Sequence, residues 1–296
     1  MVVIMIFFKK GLKRIYQLAP WGIKDRVGFY YTFRCFPNIR NPQTFNEKVL
    51  YRKRHACVSD NSYPLLADKY LVRNYVAEKI GEKYLIPLYN KYDNIAELKN
   101  DIRNYSRFVL KPNHGAGMVK IIDSIRSNEE LADVINTAQK WIETDFSKVL
   151  GEKHYSKIKR NFLIEERIGN EGTFLVDYKV HLFKNENDEF FFVLQIIDDR
   201  FIGALNRTFY VNDLDVIYSG GHELDTEHKL KLKEAIELSK ALISDLEYVR
   251  VDWYICDDKL YFGEITLTPA GGIGSGYGNE LDLLMGSKWN LKLAPR

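Results

Sequence analysis

Two carboxylates in the stretch Tyr248–Thr266 are spaced so that they could do chemistry together. Asp252 and Glu264 stand in two segments whose residues alternate at the strand period of two: Val249, Val251, Trp253 and Ile255 before an acidic turn, Leu260 and Phe262 after it. How the two strands pair decides what the acids can do. A two-residue loop at Asp257-Asp258 would turn Asp252 and Glu264 to opposite faces, whereas a three-residue loop sets Asp252 opposite Glu264 and Arg250 opposite Thr266. The three-residue loop is expected. Opposed side chains have Cβ atoms about 5 Å apart, so paired carboxylates repel unless a cation sits between them. A hard divalent ion such as Mg2+, held by a few carboxylates together with substrate phosphates, suits that place. Taken alone, the stretch is equally compatible with an amphipathic hairpin whose charged face is solvated.

A second set of chemically able residues lies upstream. Arg107–Lys111 is strand-like, Pro112 ends it, and Asn113-His-Gly-Ala-Gly117 is a glycine-bearing turn before a strand at Met118–Ile122. Strand, flexible loop and strand can close over phosphates, because small residues let backbone N–H groups approach an anion; a plain hairpin loop also accounts for it. Lys69 falls in a helix expected from about 64 to 80, with Gly81 as its stop, where a solvated helix lysine is the simpler reading. Asp213-Leu-Asp215 is a DxD that could hold a metal–sugar nucleotide, or be a polar turn.

The remaining elements must position these groups. Thr44 and Glu47 form a capping box ahead of Val49 and Leu50. The aromatic stretch Phe29–Phe36 is expected to be irregular. A long helix is expected over Asn128–Thr144, a mobile basic connection over 148–159, and a strand over Asn161–Ile168 closed by Gly169. Strands follow at Thr173–Phe183, Glu189–Ile197, Asn206–Tyr210 and Val216–Gly221, then a helix over Thr226–Leu246. The glycine-rich run 268–278 could cradle a carboxylate substrate or be an exposed loop; it is not a dinucleotide fingerprint, since its spacing and context are wrong.

Composition bounds the partners. A net charge of +3 over 296 residues gives no footprint for nucleic acid. Three scattered cysteines, Cys35, Cys57 and Cys256, make no disulfide framework and fit a reducing cytosol. Met1–Phe8 is apolar but far shorter than the about 20 residues that span a bilayer. Its basic residues Lys9, Lys10, Lys13 and Arg14 follow the apolar run, the wrong order for a signal peptide. Such a segment could lie on an anionic membrane surface, or pack as an ordinary terminal helix or strand.

Taken together, Asn41-Pro-Gln-Thr-Phe-Asn-Glu-Lys48, Ala67-Asp-Lys-Tyr-Leu-Val-Arg73, Leu110-Lys-Pro-Asn-His-Gly-Ala-Gly117, Asp177-Tyr-Lys-Val-His-Leu-Phe183, Arg250-Val-Asp-Trp-Tyr254 and Gly263-Glu-Ile-Thr266 resemble, in order, the TupA-like branch of the ATP-grasp superfamily. That branch is associated with teichuronopeptide and other bacterial surface-polysaccharide biosynthesis. The resemblance implies an α+β ATP-grasp fold, two α/β lobes with mainly antiparallel sheets clamping the nucleotide, plus an N-terminal helical region. Its divisions would be 1–104, helical and a candidate for acceptor binding; 105–170, the small lobe; and 171–296, the large lobe with the metal hairpin.

The resemblance also implies roles. Lys69 and Lys111 match the lysines that reach ATP phosphates, and Gly115 and Gly117 match the loop covering them. Glu165 matches the acid that accepts from the adenine amino group, with the backbone near Glu166 and Ile168 as the adenine hinge. Asp252 and Glu264 match the Mg2+ carboxylates; Thr266 stands where many members have Asn, a weaker neutral ligand that the TupA-like branch itself uses. Apart from the resemblance, Arg250, next to Asp252 on the metal face, would be placed to hold acyl-phosphate or phosphate oxygens, and Lys179 and Arg207 are further candidates for anion contacts. The implied activity is an ATP- and Mg2+-dependent carboxylate–amine ligase, for instance joining an amino acid to a uronic-acid glycan or its lipid-linked precursor. A glycosyltransferase of capsular polysaccharide biosynthesis, or a non-catalytic nucleotide-binding protein, is the alternative. The expected location is cytoplasmic, with the N-terminus as the means of reaching the inner face of the membrane.

Overall fold

The computed structural model describes residues 18–170, 175–198 and 206–291, and Met1–Arg14 lies outside them. Helix α1, Trp21–Phe33, takes in most of the aromatic stretch expected to be irregular. Clustered aromatics carry little periodicity; the inward face is instead set by Asp25, Gly28 and Phe29, which are buried. Helix α2, Phe45–Arg54, starts at the expected capping box, with Thr44 accepting from Glu47 N–H and Glu47 reaching back.

After the short α3, Ala56–Ser59, the single helix expected over 64–80 is two: α4, Ser62–Ala67, and α5, Val72–Ile80. Asp68 makes the break. Its backbone is extended, and its carboxylate accepts the N–H groups of Tyr70 at 2.8 Å and Leu71 at 3.2 Å. A short acidic side chain that competes for backbone donors in this way ends one helix and starts the next. Lys69 therefore stands in a gap between helices and not along one.

The first sheet contains β1 (Leu88–Tyr92), β2 (Phe108–Pro112), β3 (Lys120–Ile122) and β4 (Phe162–Glu166), in the order β1-β4-β2-β3 and antiparallel throughout. Helix α6, Ile95–Asp101, and helix α7, Asn128–Glu143, cover it, with Leu98, Val134 and Ala138 packed on Phe108, Leu110, Phe162 and Ile164. The basic connection expected to be mobile is built into the body: it forms turns at Phe146–Lys148 and Lys153–Lys157 and buries Glu152 and His154. Its exposed lysines mask those inward residues in any reading by composition.

The second sheet contains β5 (Asp177–Lys184), β6 (Phe190–Asp198), β7 (Asn206–Val211), β8 (Ile217–Ser219), β9 (Tyr248–Cys256) and β10 (Lys259–Thr266), in the order β10-β9-β5-β6-β7-β8. Val180, Leu182, Leu194, Ile196, Val251 and Trp253 face α5 and α8 (Thr226–Ile243) in the largest core. The alternate residues, among them Lys179, Arg250 and Asp252, make the opposite face. Helix α9, Gly278–Lys288, packs Leu281 and Met285 against Phe45 and Val49 of α2.

The hairpin of β9 and β10 corrects one expectation and meets another. Its loop has two residues, not three: Asp257 and Asp258 have φ of 49° and 58°, and Cys256 pairs with Lys259. That register alone would separate Asp252 from Glu264. A bulge between Phe262 and Glu264 shifts it, so Glu264 pairs with Asp252 and Thr266 with Arg250 after all. Gly263 sits at the bulge, where a Cβ would come within 3.0 Å of the Asp252 carbonyl oxygen.

Candidate active site

Three parts of the chain meet at Lys69. Its Nζ donates to the Gly115 carbonyl and lies 3.5 Å from Glu264 Oε2, joining the helix break, the glycine loop and the large sheet. Asn113 holds this junction. Fully buried, it donates to Asp68 Oδ2 at 2.8 Å and to Lys159 O at 3.0 Å, accepts from Asn161 N–H at 2.9 Å, and its carbonyl accepts Lys69 N–H at 2.9 Å. Burial pushes the Asp68 carboxyl up from its ordinary range in spite of these bonds.

The loop itself requires glycine. Gly115 and Gly117 have φ of 83° and 72°, and a Cβ on Gly115 would come within 2.6 Å of the Phe146 ring. His114 is buried between them and the strand, with Nε2 at 3.2 Å from Thr144 O; burial lowers its pKa, so the neutral ring donates there.

On β2, Lys111 Nζ lies 2.5 Å from Glu165 Oε2, and Arg73 Nη1 lies 3.2 Å from Glu165 Oε1. Glu165 is buried, with its carboxylate shared by these two cations. Glu166 donates its N–H to Pro87 O at 2.9 Å, and Ile168 is half-buried in the link that leaves the small sheet.

The large sheet supplies a charge cluster. Lys179 Nζ lies 2.5 Å from Asp252 Oδ2 and 3.6 Å from Asp177. Arg250 grips Asp252 with both Nε at 2.6 Å and Nη2 at 2.8 Å, and the same Nη2 reaches Glu264 at 3.1 Å and Thr266 Oγ1 at 2.8 Å. Thr266 donates to Glu264 Oε1 at 3.0 Å. Burial pushes both carboxyls up, but Arg250 and Lys179 outweigh it at Asp252, and Lys69 and Arg250 outweigh both burial and the neighbouring Asp252 at Glu264. Both stay charged, below the usual carboxylate range. Burial opposes the Arg250 charge, and the two acids overcome it and raise its pKa.

The donor set fits a hard cation. Mg2+ takes one or two protein carboxylates and completes its shell with phosphate and water oxygens. Glu264 is the more available ligand, its side chain 27% exposed against 3% for Asp252, whose oxygens are already engaged by cations. Among the described residues, no group of three or more His, Cys, Asp or Glu forms a self-sufficient metal cluster.

The glycine-rich run after Thr266 is packed, not exposed at large. Ala270 and Gly271 have φ of 50° and 59°. Helix α2 holds the run: Lys53 Nζ donates to Gly271 O at 2.6 Å, and the Asn46 amide exchanges bonds with Gly274 at 3.0 and 3.1 Å. Arg207 lies over Gly276, where a Cβ would come within 2.9 Å of its Nε. Asp213 and Asp215 stand apart from all this, on an exposed turn: Asp213 accepts Asp215 N–H at 2.8 Å and Asp215 pairs with Lys229 at 2.7 Å.

Residues 47–290 match the family model described as TupA-like ATPgrasp. The chain belongs to the TupA-like ATP-grasp family. No curated protein matches this TupA-like chain. Among solved structures it is similar to D-alanine–D-alanine ligase from Helicobacter pylori, at 20% identity and a TM-score of 0.46, covering 76% of this chain and 61% of that one. It is also similar to L-amino acid ligase from Bacillus licheniformis, at 14% identity and a TM-score of 0.47, covering 76% and 50%. A third is N5-carboxyaminoimidazole synthetase from Staphylococcus aureus complexed with ADP, at 14% identity and a TM-score of 0.45, covering 77% and 52%. The TupA-like chain thus spans half to three fifths of the length of these structures.

Several residues of the site carried no sequence signal of their own role. Asn113, Arg73 and Asp177 stood inside the family motifs, but only their partners show what they do. Asn46 and Lys53 looked like ordinary residues of a capped helix; their spacing of seven, two helical turns, was the one available hint that they share a face.

Proposed function

We propose that this protein is an ATP- and Mg2+-dependent carboxylate–amine ligase working through an acyl phosphate. We further propose that it modifies a bacterial capsular or other surface polysaccharide, for example by joining an amino acid to a uronic acid of a glycan or lipid-linked precursor, on the cytoplasmic side of the membrane. The observation that supports the reading is Lys69, whose Nζ donates to the Gly115 carbonyl and lies 3.5 Å from Glu264, so that a lysine touches both the glycine loop and the acid pair.

In this reading a substrate carboxylate oxygen attacks the γ-phosphorus of ATP and ADP leaves; an amine then attacks the acyl carbon, loses a proton and expels phosphate. Lys69 and Lys111 balance the phosphate charge, and the N–H groups of the glycine loop cover it. Glu264, with Asp252 and Thr266 beside it, would hold Mg2+, which supplies further neutralisation of the phosphates when bound. Arg250 orients the transferring group while keeping Asp252 ionised. Glu165 accepts from the adenine amino group and, through its 2.5 Å pair with Lys111, aligns that lysine. The adenine hinge at Glu166–Ile168 and the anion contacts of Lys179 and Arg207 belong to the same proposal.

The test is release of ADP and phosphate by the full chain with ATP, Mg2+, uronic-acid glycans and amino acids. Turnover that requires Mg2+ and both substrates, and falls by about a hundredfold or more in Glu264→Gln, is expected. Full activity in Glu264→Gln, or thermal stabilisation by UDP-sugars and not by ATP, would overturn the reading.

A further inference from the structure

Helix α1 has two dissimilar faces. Inward, Asp25 is pinned by Lys53 at 2.9 Å and Arg54 at 2.5 Å. Outward, Ile23, Arg26, Tyr30 and Arg34 follow one another at helical spacing, and all four are exposed. Phe36, 68% exposed, stacks on Tyr30 with ring centroids 4.9 Å apart, and Leu18 just before the helix is 87% exposed. Large apolar side chains grouped on one surface mark an interaction site.

The charge of the molecule is distributed to match. The first 36 residues hold seven basic side chains (Lys9, Lys10, Lys13, Arg14, Lys24, Arg26 and Arg34) and one acid, Asp25, a net charge of +6. The whole chain carries +3, so residues 37–296 carry −3. The one acid at the basic end is buried in ion pairs.

We infer that the outward face of α1 docks the protein on an anionic lipid surface. Lipid supplies in one contact the negative headgroups that Arg26 and Arg34 need and the apolar layer that Ile23, Tyr30 and Phe36 need. Nucleic acid would leave the aliphatic side chains without a partner. Through Lys53, which bonds both Asp25 and Gly271 O, the docked helix is tied to the glycine-rich run. The inference rests on exposure and charge and stands independently of the ligase reading.

The experiment is sedimentation of the full chain, without nucleotide, with vesicles of phosphatidylcholine alone or mixed equally with phosphatidylglycerol, at low and raised salt. Each basic side chain at such a surface contributes about fivefold to partitioning. Expected are binding to the mixed vesicles at least about tenfold stronger than to neutral ones, weakening with salt, and a loss of about tenfold or more in both Arg26→Gln/Arg34→Gln and Ile23→Ser/Tyr30→Ser. Unchanged thermal unfolding of both variants shows that the fold survives. No vesicle binding, equal binding to both vesicle types, or wild-type binding by both variants would overturn the assignment. So would self-association of the wild type that Ile23→Ser/Tyr30→Ser abolishes, since the face would then serve a second copy.

Discussion

Asp252 and Glu264 form one pair but hold different positions in the charge balance. Asp252 is almost fully buried and is gripped by Arg250 and Lys179, whereas Glu264 is partly exposed and has Arg250 at 3.1 Å and Lys69 at 3.5 Å. Removing one partner of a buried ion pair costs about 3–5 kcal/mol, because the remaining charges are left unpaired. A partly exposed pair is worth about 1 kcal/mol or less. Asp252→Asn is therefore expected to lose about 3 kcal/mol or more in urea unfolding, and Glu264→Gln about 1 kcal/mol or less. Equal losses would show that Asp252 is not the hub of the cluster. At this scale residue type was informative: carboxylates, lysines and glycines announced themselves. What could not be read was which cation each acid would meet. Glu165 shows why, since its partners Lys111 and Arg73 reach it from a neighbouring strand and from a helix far away in the chain.

Elements were legible wherever their period was regular, as in β2, β4, α7 and the strands of the large sheet. They were misread where one side chain overrode the period. Asp68 split a helix by taking backbone donors, and the bulge at Gly263 undid the register set by the Asp257-Asp258 turn. Alternation tells which residues share a strand; it does not tell where a ladder slips. The connection 148–159 looked mobile because its lysines dominate its composition, yet it buries His154. That ring is 1% exposed, its Nδ1 has no hydrogen-bond partner, and burial pushes its pKa down from 6.5 to about 3. The folded protein keeps it neutral while the unfolded chain takes up a proton below about pH 6.5. Its contribution to stability is therefore complete above that pH and is lost as pH falls towards 3. His154→Phe, in a site walled by Tyr63 and Tyr155, should gain on the wild type by up to about 1.4 kcal/mol per pH unit below about pH 6.5. Urea unfolding at several pH values checks this; a pH-independent difference between the two proteins would refute it.

At the scale of the whole molecule, Lys69 joins the two antiparallel sheets, since its Nζ meets both the Gly115 carbonyl and Glu264. Helix α2 links the ends: Arg52 donates to Tyr248 O at 2.7 Å where β9 begins, Lys53 and Asn46 hold the glycine-rich run where β10 ends, and Lys48 bonds Gly286 O and Trp289 O at the end of α9. The family motifs made this architecture recognisable from sequence, but the part played by α2 was not, because a helix seen alone looks the same whether it borders a site or merely covers a core. The central claim is that Lys69, the glycine loop and the acid pair form one site for the ATP phosphates. Titration of a non-hydrolysable ATP analogue with Mg2+ into the wild type, Lys69→Ala and the remote control Asp213→Asn tests it most directly. A charge-assisted hydrogen bond is worth about 1.5–3 kcal/mol, so Lys69→Ala should bind about tenfold or more weakly while Asp213→Asn binds as the wild type does. Wild-type affinity in Lys69→Ala would contradict a triphosphate site between the two sheets.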